Sequence, residues 1–79
     1  MNDMKNFSYN GKIIKYFVKD IQWKEVQGVE MASAIMVICD ENKNQTDFFN
    51  IYDEKYKVLY AMPIDAERWY RDYLSEKEI

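Results

Sequence analysis

Along most of this chain apolar and polar side chains alternate with a period of two, and only near the C-terminus does the spacing become helical. Asn10-Gly11 separates two alternating runs, and this dipeptide favours the positive φ angles of a type I′ hairpin turn. Pairing outward from it sets Tyr9 opposite Lys12 and Phe7 opposite Ile14. From Lys12 to Trp23, Ile14, Tyr16 and Val18 point one way, while Ile13, Lys15, Phe17 and Lys19 point the other. The first set is expected in the core, and the second forms a mixed face of lysines and apolar side chains, with Trp23 assigned to it. Lys24 to Gly28 reads as a connection. Glu30 to Ala34 has a helical composition, but Ile35-Met36-Val37-Ile38-Cys39 is rich in β-branched residues, so a buried strand is expected from Ser33 on.

Asp40 to Gln45 is a polar loop. Thr46–Tyr52 and Tyr56–Met62 read as a second hairpin around Asp53-Glu54-Lys55, pairing Ile51 with Val58 and Phe49 with Tyr60. Pro63 ends the last strand. Asp65 is placed as an N-cap, with Ile64 and Trp69 as a hydrophobic staple. Ala66, Trp69, Tyr70, Tyr73 and Leu74 then recur at helical spacing, and Glu67 and Arg71 stand in the favourable i,i+4 order. The expected fold is α+β: an antiparallel β-meander of about five strands, with one C-terminal amphipathic helix packed on one face, forming a single domain over residues 1–79.

A helix of thirteen residues is about 20 Å long and 10 Å wide. Five strands span about 19 Å between their outer axes. One helix thus covers about half of one sheet face. Large apolar side chains nevertheless fall on both, with Phe7, Ile14, Val18, Phe49 and Tyr60 at some positions and Ile13, Phe17, Phe48 and Leu59 at others. Either the sheet curls over itself or the uncovered surface meets another protein or a second copy of the chain.

Composition narrows the chemistry. With 48% apolar and 32% charged residues the chain is not a disordered tail. Its net charge of −3 argues against non-specific nucleic-acid binding. Cys39 is the single cysteine, so no internal disulfide forms and a reducing, cytoplasmic setting is expected. No apolar run follows Met1 to Lys5 that would make a signal peptide, and none approaches the ~20 residues of a membrane helix.

There is no histidine, which removes histidine-based nucleophilic systems and the commonest zinc ligand. Asp40-Glu41-Asn42-Lys43-Asn44 opens like a calcium loop. Gln45 then stands where glycine is needed, and Ile51 where the bidentate glutamate belongs. Gly11 and Gly28 are isolated, so no phosphate loop exists. No catalytic residue, metal or cofactor is expected.

Two surfaces remain as candidates. Ile13, Lys15, Phe17, Lys19 and Trp23 form an apolar centre with a charged rim. Lysines interleaved with aromatics also suit single-stranded nucleic acid, which makes an accessory protein of that kind the alternative reading. In a meander, the Asn10-Gly11 turn, the Asp40–Gln45 loop and the helix start share one end, which would gather Asp40, Glu41, Asp65 and Glu67 into an acidic end that either keeps the chain in solution or suits a basic protein surface.

In size, aromatic load and lack of catalytic groups, the chain is similar in type to small phage or mobile-element proteins that bind and inhibit a host machine, though no shared motif carries that likeness. The expected function is a small acidic, non-enzymatic protein-binding module, an inhibitor or accessory factor.

Overall fold

The structure is a computed structural model and describes residues 4–78; the N-terminal reading at residues 1–3 lies outside them. Four strands, β1 (Lys5–Tyr9), β2 (Lys12–Val26), β3 (Val29–Cys39) and β4 (Gln45–Glu54), form one antiparallel sheet in the order β1-β2-β3-β4. Two helices follow, α1 (Lys55–Tyr60) and α2 (Pro63–Lys77). The class is α+β as expected, with four strands in place of about five.

The first hairpin has the expected register, Tyr9 opposite Lys12 and Phe7 opposite Ile14, with Asn10 at φ 51° and Gly11 at φ 79°. A second tight hairpin replaces the expected connection at Lys24 to Gly28. β2 runs on to Val26, which pairs with Val29 across Gln27 (φ 52°) and Gly28 (φ 83°). Gln-Gly is a weaker turn signal than Asn-Gly, yet Gly28 supplies the same positive φ without a Cβ clash. Glu30 to Ala34 is strand, not helix. Ala32 and Ala34 alternate onto the covered face, where their small side chains let the helices approach.

The expected strand over Tyr56–Met62 is the largest correction. A strand would put Val58 and Tyr60 on one face, but Val58 is fully buried and Tyr60 is exposed. Helical spacing instead turns Val58 and Ala61, three residues apart, into the core. Ala61 stops α1 in the left-handed region at φ 45°, its N–H donating to the Lys57 carbonyl. It is clamped there by Tyr16, whose hydroxyl donates to the Ala61 carbonyl at 2.6 Å.

Pro63 starts α2 instead of only ending a strand, since a first-turn proline loses no helical hydrogen bond. The N-cap is Met62 and not Asp65. Asp65 lies in the first turn and pairs with Arg68 at 3.1 Å. Ile64 is 77% exposed, so it makes no staple with Trp69.

Both helices pack on the same sheet face. One core joins Phe7, Tyr16, Met36, Phe49, Val58 and Trp69, among others. Tyr70 carries much of the aromatic load, with ring centroids 5.6 Å from Phe7 and 5.2 Å from Tyr9, while Tyr73 stacks on Phe49 at 4.2 Å. The molecule is a slab of 39 × 37 × 18 Å, one helical layer on one sheet layer.

Two outcomes follow for stability. Trp69→Ala should cost about 3–5 kcal/mol as a large-to-small core change; an unchanged urea midpoint would contradict this packing. Burial, followed by the nearby Asp65 charge, pushes the Tyr16 hydroxyl up to about 12 from an ordinary 10.0. A raised folded value contributes stability that is complete below pH 10 and lost as pH rises through about 12. Tyr16→Phe should cost about 1 kcal/mol at neutral pH by leaving the Ala61 carbonyl unpaired. Its midpoint should fall less steeply than the wild type's over that alkaline range, and parallel curves would remove the role given to this hydroxyl.

Candidate functional site

The face that carries no helix follows from strand parity. On β2 it presents Ile13, Lys15, Phe17 and Lys19, as alternation requires. A bulge then sets Asp20 (φ 55°) and Ile21 against a single residue of β3, between the pairs Lys19–Ile35 and Gln22–Ser33. One extra residue reverses the faces beyond it. Gln22 and Lys24 therefore continue the open face. Trp23, opposite the core residue Ala32, turns to the helix side, with the Lys55 ammonium 4.3 Å from its ring centroid. Trp23 thus does not belong with Lys15, Phe17 and Lys19.

Across β3 and β4 the open face continues through Ile35, Val37 and Cys39, and through Phe48, Asn50 and Tyr52. Val37 pairs with Phe17 on one side and Phe48 on the other, and is only 1% exposed although no helix lies above it. Directly paired side chains lie about 5 Å apart, so the two rings roof the valine. Phe17 is half-buried in this way. Phe48 and Tyr52 remain 59% and 60% exposed and Ile13 44%. The centre is thus Phe17, Val37 and Phe48, flanked by Ile13, Ile35 and Tyr52, with Lys15, Lys19 and Lys24 along β2.

Of the proposed acidic end, Asp65 is paired with Arg68 and Asp40 accepts from the backbone of its own loop. Arg68 holds Asp53 at 2.8 Å as well as Asp65, and Trp69 Nε1 donates to Asp53 at 3.0 Å. Tyr73 donates to Asp47 at 2.9 Å, and Lys77 lies 3.7 Å from the same carboxylate. These side chains reach β4 from α2, which starts just beyond Ala61, held by Tyr16, and sets Tyr70 against Phe7 and Tyr9 of β1.

The Asp40–Gln45 loop is organised by its own backbone. Asp40 Oδ1 accepts the N–H groups of Asn42 and Asn44, both at 2.9 Å. The Asn44 backbone bond leads in holding the Asp40 carboxyl below its ordinary value. Among the described residues, no group of three His, Cys, Asp or Glu is placed to hold a metal ion. Cys39 is buried, and burial followed by the charge of Asp40 pushes its thiol up.

Among the described residues no charged or amide side chain is fully buried, and the buried Tyr16 hydroxyl is used up on Ala61. The half-buried Asp53–Arg68–Trp69 cluster is committed to holding α2. A groove of about 550 Å³ opens between the β2–β3 turn and α1, lined by Val29, Tyr56, Leu59, Tyr60 and the Lys55–Glu30 ion pair. It brings together no pair of acid and base groups aimed at a common point. No helix among the described residues is long and apolar enough to cross a membrane.

Comparison with protein-family models, with curated proteins and with solved structures finds no match. What can be said of the site therefore rests on its residues.

Burial pushes the Asp53 carboxyl up, but hydrogen bonds from Arg68, the Glu54 N–H and Trp69 outweigh it and hold the group below its ordinary 3.8. A depressed folded value contributes stability present above that pH and lost on acidification. Asp53→Ala should therefore cost about 2 kcal/mol at neutral pH. The gap to wild type should narrow as pH falls below 3.8. Chemical denaturation of both proteins across that range is the check, and a gap that stays constant would show that the carboxylate charge contributes nothing.

Proposed function

We propose that this chain is a non-enzymatic protein-binding module and that its open sheet face holds a different protein. The observation that carries the reading is the Phe17–Val37–Phe48 row: an apolar centre crossing three strands with no helix or strand of the described residues above it. Exposed apolar patches on small proteins mark interaction surfaces. Aromatic side chains at the centre of such a patch contribute most of the binding energy, and the polar rim excludes water and sets specificity. Lys15, Lys19 and Lys24 supply that rim along β2.

Charge favours a different protein over a second copy. Two open faces brought together would set lysines against lysines, which costs affinity and slows encounter. The helix side carries its own exposed apolar residues, Tyr56, Leu59 and Tyr60, but they lie around a groove partly closed by the Lys55–Glu30 pair.

Phe48 is a better probe of this face than Phe17, because Phe17 is half-buried over Val37 and its loss would also affect stability. Immobilised chain should capture one protein from extracts of its source cell. Phe48→Ala should lower the yield at least tenfold while the chain stays folded by circular dichroism, since only the exposed ring is removed from over Val37. Ile64→Ala, on the exposed side of α2, should leave it unchanged. Capture that survives Phe48→Ala but is lost with Leu59→Ala would move the site to the α1 groove and overturn the assignment.

A further inference from the structure

Resting on the open face as the interface, the geometry points to the chemistry of its occupant: a protein surface with apolar side chains at its centre and Asp or Glu around them. The first ground is charge segregation. The face carries Lys15, Lys19 and Lys24 against Glu54 alone. It is thus +2 (three lysines less one glutamate) in a chain of net −3, which leaves −5 on the rest. Glu54 is itself drawn toward α1 by Lys57 at 3.6 Å.

The second ground is that the three lysines have no partner. Among the described residues the ion pairs use Lys55, Lys57, Arg68 and Lys77, and no carboxylate lies within 4.0 Å of Lys15, Lys19 or Lys24. In an acidic protein with carboxylates to spare, this leaves a basic strip beside an apolar centre. An acidic rim on the partner complements it and speeds encounter.

Spacing separates this occupant from a single-stranded nucleic acid, which also brings negative charge to lysines and rings. Phe48 and Tyr52 are the two most exposed rings on the face, and both lie on β4 with Asn50 between them. Four residues of strand set them about 13 Å apart, too far for neighbouring stacked bases. Phe17 is laid over Val37, and the remaining centre is aliphatic. A polyanion also runs past the face and meets the −5 of the remainder, whereas a compact acidic patch does not.

Recognition is through the face and not the sheet edge. β4 is an outer strand whose Phe48 and Glu54 N–H groups donate to the preceding carboxylates, Asp47 at 2.8 Å and Asp53 at 2.7 Å. Two of the four N–H groups of that parity are thus occupied, leaving those of Asn50 and Tyr52 between them. β2 beyond β1 is broken by the bulge at Asp20 and Ile21. Such devices keep edges from pairing with another chain.

The test is fluorescence anisotropy at 50 mM salt with three labelled probes: a sixteen-residue peptide alternating Glu and Leu, its Lys-Leu counterpart and a twenty-residue oligo-dT. The Glu-Leu peptide should bind at least tenfold more tightly than either other probe, and its affinity should fall at least tenfold at 500 mM salt. Lys19→Glu/Lys24→Glu, both exposed positions, should lower it at least tenfold, while Lys43→Glu in the β3–β4 loop should not. The salt series checks the charge argument even if the double variant fails to fold. Tighter binding of oligo-dT would replace the acidic protein by nucleic acid. Equal binding of the two peptides, or none of the acidic one, would overturn the acidic rim while leaving the Phe48-dependent capture to decide the interface itself.

Discussion

Everything notable about this molecule follows from how little helix it has for how much sheet. Four strands offer two faces, and the twenty-one residues of α1 and α2 cover one of them. The helices are fixed to that face by buried contacts with directional ends. Trp69 fills the core and donates to Asp53, Tyr16 holds Ala61 at the joint between the helices, and Tyr73 reaches Asp47. These contacts hold both helices on that face, and among the described residues no helix crosses the other. The open face is thus a consequence of where the helices are tied, and it holds its own apolar residues by roofing Val37 with two aromatic rings.

The sheet half of this arrangement was legible in the sequence where local chemistry and burial agreed. Asn10-Gly11 fixed the first register, and the alternation of β2 assigned Ile13, Lys15, Phe17 and Lys19 to one face without need of a structure. Phe48 joined them by the same parity. Reading stopped at places where a single residue changes the count. Asp20 adopts a positive φ within a strand and adds one residue, which no propensity announces, so Trp23 was assigned to the wrong side. The Gln27-Gly28 turn was missed for the opposite reason: the glycine was visible, but its partner is not a usual turn residue.

The segment after β4 failed for a deeper reason. Lys55 to Met62 has enough Tyr, Val and Leu for a strand and is too short to show a helical period. What decides it is tertiary. The sheet face needs cover, and Val58 and Ala61 reach it together only from a helix. That one change of element placed a second helix on the sheet face ahead of α2. It also left the sheet at four strands, and the charge left on its open face became basic in an acidic chain.

The claim on which this account turns is that Phe48, Tyr52 and Ile13 face solvent in the isolated chain and are covered only by a partner. Hydroxyl-radical footprinting read by mass spectrometry measures this directly. The free protein should be labelled strongly at Phe48 and Tyr52 and weakly at Trp69 and Met36, with protection of Phe48 and Tyr52 appearing in the captured complex while exposed Ile64 stays labelled. Strong protection of Phe48 and Tyr52 in the free monomer would mean that the chain covers this face itself, and the account would be wrong.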